Sequence, residues 1–260
     1  MMVSCNGRAA QVKDLLPALV NYGHFTSLQV RGGAVQGLDL HLARLSQATR
    51  ELFGSELDTV QVQAWMAQAL QQSGQVDASL RVTVFSPQFD FRNPLRAMAL
   101  DVLVAVGAPV AIEPRPRRVR TACFRRDTPQ IKHVGTFPLF QQRRAAMRDG
   151  FDDVLFVDAD GRISEGSTWN IVFHDGSQLV WPQAPALRGT AEALLSPEPT
   201  AGSGELDEIA WLPLDEARAL DLPAITRFVL GELAERLEHP NRPMPFVRMV
   251  RGRHTVEHRD

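Results

Sequence analysis

The chain has 260 residues, enough for one large domain or two modest ones, and its 44% hydrophobic and 22% charged content is that of an ordinary soluble globular protein. A net charge of −2 leaves no basic excess for nucleic acid, and no stretch is long and apolar enough for a membrane span. Cys5 and Cys123 are too few for a disulfide framework, which points to a reducing, cytoplasmic setting, and the first ten residues lack the apolar run of a signal peptide.

Residues 25–31 read as a strand that turns at Gly32-Gly33 into a second one. Asp39 is expected to cap a helix running to Phe53, with Gly54 ending it, and Leu42, Leu45 and Leu52 on its apolar face. A second amphipathic helix follows Asp58, using Val62, Trp65, Met66, Ala69 and Leu70. Residues 80–85 alternate as a half-buried strand, and residues 100–106 are more continuously apolar, as in a buried one. Residues 112–118, with Pro114, Pro116 and several arginines, read as a hinge that closes a small α+β domain over 1–118.

In the next stretch, Pro138 suits the first turn of a helix ending at Gly150. Residues 153–158 form a strand, Ala159-Asp-Gly161 a turn, and residues 162–164 the return. Residues 169–174 are expected as a further strand, turning at Asp175-Gly176 into residues 178–181, so that 119–195 makes a second domain. The Pro/Gly/Ser-rich residues 196–204 read as a linker. The remainder of 196–260 is expected to hold a strand (209–212), a helix through Ala217, another over 225–237, and an extended charged tail.

Of 28 Lys+Arg residues only Lys13 and Lys132 are lysines. A lysine kept beside Ile131, Val134 and Phe137 suggests chemistry that arginine lacks, because a lysine in apolar surroundings sheds its proton and attacks a carbonyl. Downstream, Glu165 sits in Ile163-Ser-Glu-Gly-Ser-Thr-Trp-Asn-Ile171, between a strand and a Gly-Ser-Thr turn, placed to face a cavity. Gly189 and Thr190, in Leu187-Arg-Gly-Thr-Ala-Glu192, stand at the mouth of a helix, whose free N–H groups suit a phosphate. Nucleophilic lysine, buried carboxylate and phosphate cup together describe a site for pyridoxal phosphate.

The chain resembles the class IV aminotransferases, the fold-type IV pyridoxal-phosphate enzymes that include branched-chain and D-amino-acid aminotransferases and aminodeoxychorismate lyase. The matching stretches are Phe25-Thr-Ser-Leu-Gln-Val-Arg31, His41-Leu-Ala-Arg-Leu45, Ile131-Lys-His-Val-Gly135, Ile163-Ser-Glu-Gly-Ser-Thr-Trp-Asn170 and Leu187-Arg-Gly-Thr190, in the family's order and spacing over roughly residues 10–195. The resemblance implies a small α/β domain beside a larger cofactor-binding domain, pyridoxal phosphate as cofactor, an amino donor and a 2-oxo acid as substrates, a homodimer, and no metal. It implies that Lys132 holds the cofactor and shuttles the proton, that Glu165 partners the pyridine nitrogen, and that Arg44 reaches the phosphate. Gly189 and Thr190 match the phosphate cup, one residue shorter than the usual Pro-Gly-Ile/Val-Thr. Phe25 matches an aromatic residue near the substrate. Arg81, in Leu80-Arg-Val82, and Arg92, in Phe91-Arg-Asn93, are competing candidates for a substrate carboxylate.

His41 and His133 read as packing or hydrogen-bonding residues. Phe137 stands where some members carry a tyrosine near the cofactor's phenolic oxygen, so that contact must differ here. The reaction implied is transamination of a small amino acid or amine with a 2-oxo acid. The alternatives are an aminodeoxychorismate lyase-type reaction and a catalytically impaired cofactor-binding remnant.

Beyond Ser196 the family's second Ser/Thr-rich phosphate loop is not found. Instead residues 206–217, 222–230 and 249–254 resemble the closing segment of Nudix hydrolases, without the metal-binding Nudix box. The C-terminal part is therefore expected to be incomplete or atypical, and cofactor binding correspondingly weak.

Overall fold

Alternating apolar residues build the first sheet. Six strands pair antiparallel in the order β2-β1-β6-β5-β3-β4: β1 (Met2–Cys5), β2 (Arg8–Ala9), β3 (Gly23–Arg31), β4 (Ala34–Val35), β5 (Ala78–Phe85) and β6 (Asp101–Gly107). Leu28 and Val30 on β3, Leu80, Val82 and Val84 on β5, and Val102, Val104 and Val106 on β6 point to one face and are buried. Two helices cover that face, α2 (Leu38–Phe53) with Leu45, and α3 (Thr59–Ser73) with Val62, Met66 and Ala69. Each fully buried aliphatic side chain contributes about 1.5–3 kcal/mol. A short helix, α1 (Val12–Ala18), precedes β3.

The structure is a computed structural model that describes residues 1–96, 98–111, 115–174, 179–195, 231, 235, 238, 239, 245–250 and 253–258. Two compact units divide the chain, Met1–Glu198 and Pro199–Asp260.

The helix boundaries follow local chemistry, with one correction. Asp58 caps α3 by accepting a hydrogen bond from the Gln61 N–H at 2.9 Å. Asp39 does not cap α2: the N-cap is Gly37, in the left-handed conformation, and Asp39 lies inside the first turn. There its charge favours the positive end of the helix without bonding to it.

Within the same unit a second sheet has the order β7-β8-β9: β7 (Val119–Cys123), β8 (Asp153–Val157) and β9 (Ile163–Gly166). The pair β7 and β8 is parallel, joined by a crossover that includes α4 (Phe137–Arg148), and β9 returns antiparallel. Leu139 and Ala146 of α4 pack on Val154 and Phe156 of β8. The expected strand over 169–174 shrinks to β10 (Phe173–His174), paired with β11 (Leu179–Val180), and Trp169 and Asn170 lie in a loop. The last helix of this unit is α5 (Thr190–Leu195).

In the second unit, β12 (Pro245–Val250) and β13 (Arg253–His258) form an antiparallel hairpin, so the tail expected to be extended is paired. The expected turn at Asp175-Gly176, the linker 196–204, the strand 209–212 and the helix through Ala217 lie outside the described residues. So do the Nudix-like stretches 206–217 and 222–230.

Candidate active site

Lys132 is placed by a sheet edge. β4 pairs only with the far end of β3, at Val30 and Arg31. The near end of that edge is taken by residues 132–134: the Phe25 N–H donates to the Lys132 carbonyl at 2.9 Å and the Val134 N–H to the Gly23 carbonyl at 3.0 Å. Side chains opposite each other across such a bridge share a face. Lys132 accordingly lies beside Phe25, with Nζ 5.1 Å from the ring centroid. Burial lowers its amine to about 8, and the Arg44 and Arg126 charges push the same way, against the opposing pull of Glu165.

Glu165 is buried at the end of β9 and has a partner that the sequence did not reveal. Arg126, equally buried, grips it with both prongs, Nε to Oε1 at 2.7 Å and Nη2 to Oε2 at 3.2 Å. The Leu187 N–H also donates to Oε1, at 3.2 Å. A carboxylate has about four acceptor positions, two on each oxygen. Among the described residues Oε1 is filled, and Oε2 keeps one position for a further donor.

The turn behind Glu165 is tightly built. The Gly166 N–H donates to the Trp169 carbonyl at 2.7 Å, and a Cβ at Gly166 would run into the Trp169 ring. The Trp169 indole in turn donates to the buried Asp153 carboxylate at 3.1 Å, which also receives Arg143 at 3.4 Å. Asn170 reaches the other way and donates to the Leu187 carbonyl at 2.8 Å. Its Oδ1 would lie 2.5 Å from a Cβ at residue 189, so a side chain there would displace the Asn170 amide. The Glu165 turn and the Gly189-Thr190 loop are thereby pinned to each other.

On α2, His41 and Arg44 stand one turn apart on the same side. Arg44 donates from Nη2 to Thr26 Oγ1 at 2.5 Å, and its buried Nε meets no acceptor among the described residues. His41 links Thr26, at 2.7 Å, to Thr190, at 3.4 Å. His133 borders the same space, its pKa lowered by burial and by Arg126.

A cavity of about 620 Å³ gathers these residues: Phe25, Arg44, Lys132, Glu165, Gly189 and Thr190 all line it, and so do Arg81 and Arg126. That volume lies in the range of small-molecule sites. Arg81, opposite Ser27 across the β3–β5 pair, lies over the Phe25 ring at 3.5 Å from its centroid. Arg92 does not join the cavity: it is exposed in its loop, next to Phe91. Phe137 is also turned outward, 75% exposed. Ser167, two residues beyond Glu165 and fully buried, offers a hydroxyl with no partner among the described residues. With Arg44, Arg81, Arg126 and Lys132 against Glu165 and Glu192, the lining favours an anionic occupant.

Comparison with family models matches residues 23–216 to amino-transferase class IV, a span that starts and ends later than the 10–195 expected from motifs. No curated protein matches. Among solved structures, the branched-chain aminotransferase of the thermophilic archaeon Thermoproteus uzoniensis, with norvaline, is similar with a TM-score of 0.62 and 20% identity, covering 73% of this chain and 71% of that one. A hypothetical aminotransferase from Mycobacterium tuberculosis in its PLP-bound form gives 0.59 and 23%, covering 74% and 75%. A candidate 4-amino-4-deoxychorismate lyase from Legionella pneumophila gives 0.58 and 18%, covering 68% of each chain. At such identities the likeness is one of fold.

Proposed function

The chain belongs to the class IV aminotransferase family, enzymes dependent on pyridoxal phosphate, and on that premise we propose that it moves an amino group from a small amino acid or amine to a 2-oxo acid. The observation that carries this reading is the gathering of Lys132, Glu165, Arg44 and Thr190, from four separate segments, around one cavity. The donors present suit the cofactor. The acceptor-free Nε of Arg44 and the hydroxyl of Thr190 would hold its phosphate, and the open position on Glu165 Oε2 would receive its ring N–H. Lys132 would carry the covalent link.

When bound, pyridoxal phosphate supplies a carbonyl carbon that joins amines and a ring that withdraws electrons from the substrate's α-carbon. Lys132 Nζ would be the group that moves a proton between that α-carbon and C4′. Glu165, backed by Arg126, favours the charged form of the ring nitrogen. Arg81, over Phe25 at the cavity wall, is the favoured candidate for the substrate carboxylate, because Arg92 does not line this cavity. In the second half of the cycle the same residues run the proton back to a new 2-oxo acid. A homodimer and a cytoplasmic setting belong to this reading.

The test is a transfer assay with the cofactor-loaded protein, a panel of L- and D-amino acids, and 2-oxoglutarate. Glutamate should form in step with the donor's 2-oxo acid. A loaded protein that transfers from no donor contradicts the reading. Pyruvate released from aminodeoxychorismate without an acceptor would place the chain with the lyases instead.

A further inference from the structure

Behind Arg44 and Thr190 runs a chain of hydrogen bonds whose direction follows from chemistry. A guanidinium has only donors. Arg44 Nη2 lies 2.5 Å from Thr26 Oγ1 and 3.3 Å from His41 Nδ1, so both atoms accept and Nδ1 carries no proton. Thr26, already accepting from Arg44, gives its own proton to Nδ1 at 2.7 Å, and the longer Arg44 contact is shared. Burial, with the Arg44 and Lys132 charges, lowers His41 to about 4, against the weaker pull of Asp39, so the ring is neutral at ordinary pH. A neutral ring bare at Nδ1 holds its proton on Nε2. Nε2 faces Thr190 Oγ1 at 3.4 Å, where the ring N–H donates and the hydroxyl accepts. The hydroxyl's own proton is left for the cavity that Thr190 lines.

We propose that His41 is a positioning residue that commits the Thr190 hydroxyl to donating toward the phosphate group of the cofactor, and ties it through Thr26 to the same task in Arg44. This rests on the reading that Arg44 and Thr190 hold that phosphate. The relay joins α2 to the first residue of α5, two segments far apart in the chain. It gives His41, which does not line the cavity, a role beyond packing.

Pyridoxal phosphate, and pyridoxal as the probe without a phosphate, are titrated into the full-length protein, His41→Ala, Thr190→Ala and the double variant, following cofactor absorbance. His41→Ala should weaken pyridoxal phosphate about tenfold, which corresponds to about 1.4 kcal/mol. It should leave pyridoxal binding unchanged and have a smaller effect once Thr190 is alanine, because only the Thr26–Arg44 branch then remains. Effects that multiply in the double variant, or that fall equally on pyridoxal, overturn the relay. Since loss of a buried histidine could unsettle α2, nitrogen-15 NMR of the imidazole in the unsubstituted protein gives an independent readout. A proton on Nε2 is expected, and one on Nδ1 overturns the relay. Failure of the wider reading looks different: unsubstituted protein that takes up no pyridoxal phosphate overturns function and relay together, whereas tight uptake with an Nδ1 proton overturns the relay alone.

Discussion

Lys132 owes its lowered pKa to its surroundings rather than to its own side chain. Burial beside Phe25 does most of the work, and the positive charges of Arg44 and Arg126 add to it. Only the neutral amine attacks a carbonyl, so attachment of pyridoxal phosphate to the cofactor-free protein should speed up with rising pH, with a midpoint near 8. Stopped-flow absorbance across roughly pH 6–11, a range set by the model-peptide lysine value of about 10.4 and its lowering here, checks this; a midpoint left near that ordinary value contradicts it. The Arg126–Glu165 pair is the other decisive contact at this scale. Nothing local marks Arg126 among the many arginines of the chain; its meaning appears only when Glu165, 39 residues away, is brought against it. Both side chains are nearly inaccessible, so Arg126→Leu strands a buried carboxylate and should cost about 3–5 kcal/mol in urea denaturation. A loss well under about 1 kcal/mol, typical of a surface pair, would show that the pair is solvated.

At the scale of elements, the legible parts were those with strong punctuation. The β3–β4 hairpin was announced by Gly32-Gly33, the end of α2 by Gly54, and the start of α3 by Asp58. Missed elements lacked such signals: α1 is short, β1 and β2 are brief, and β7 carries Arg120 and Thr121 on a half-exposed strand directly after the stretch expected as a hinge. The strand expected over 169–174 failed for a different reason. Trp169 and Asn170 have strand-like neighbours, but their side chains are committed to Asp153 and Leu187, and their backbone closes the turn behind Glu165. That turn tolerates no Cβ at Gly166. Gly166→Ala should lower stability by about 1–3 kcal/mol, as overpacking does, and should loosen Glu165 enough to slow transfer. Calorimetry together with the transfer assay checks this; a variant with parental melting temperature and rate contradicts it.

For the whole molecule, each motif was individually weak, and the fold explains why their order carried so much. The five matching stretches lie on β3, α2, the segment on the β3 edge, β9 and the loop before α5, and they converge on one cavity. Fold class and the cavity residues Phe25, Arg44, Arg81, Lys132, Glu165, Gly189 and Thr190 were thus readable from spacing and resemblance, whereas the Arg126–Glu165 pair and the hydrogen bonds of His41 join segments distant in the chain. The family match running to residue 216 extends past the point where motifs stopped. In solution the protein should have twice the 28.8 kDa chain mass, as light scattering after size exclusion would read, and a single-chain mass contradicts the homodimer. The central claim is the covalent role of Lys132, and the composition makes it unusually easy to test, because Lys13 is the only other lysine. The protein loaded with pyridoxal phosphate is reduced with borohydride, digested and mapped by mass spectrometry. The account predicts a reduced cofactor adduct on Lys132, with loss of the visible absorption band. An adduct on Lys13, or none on either lysine with cofactor in excess, would contradict it.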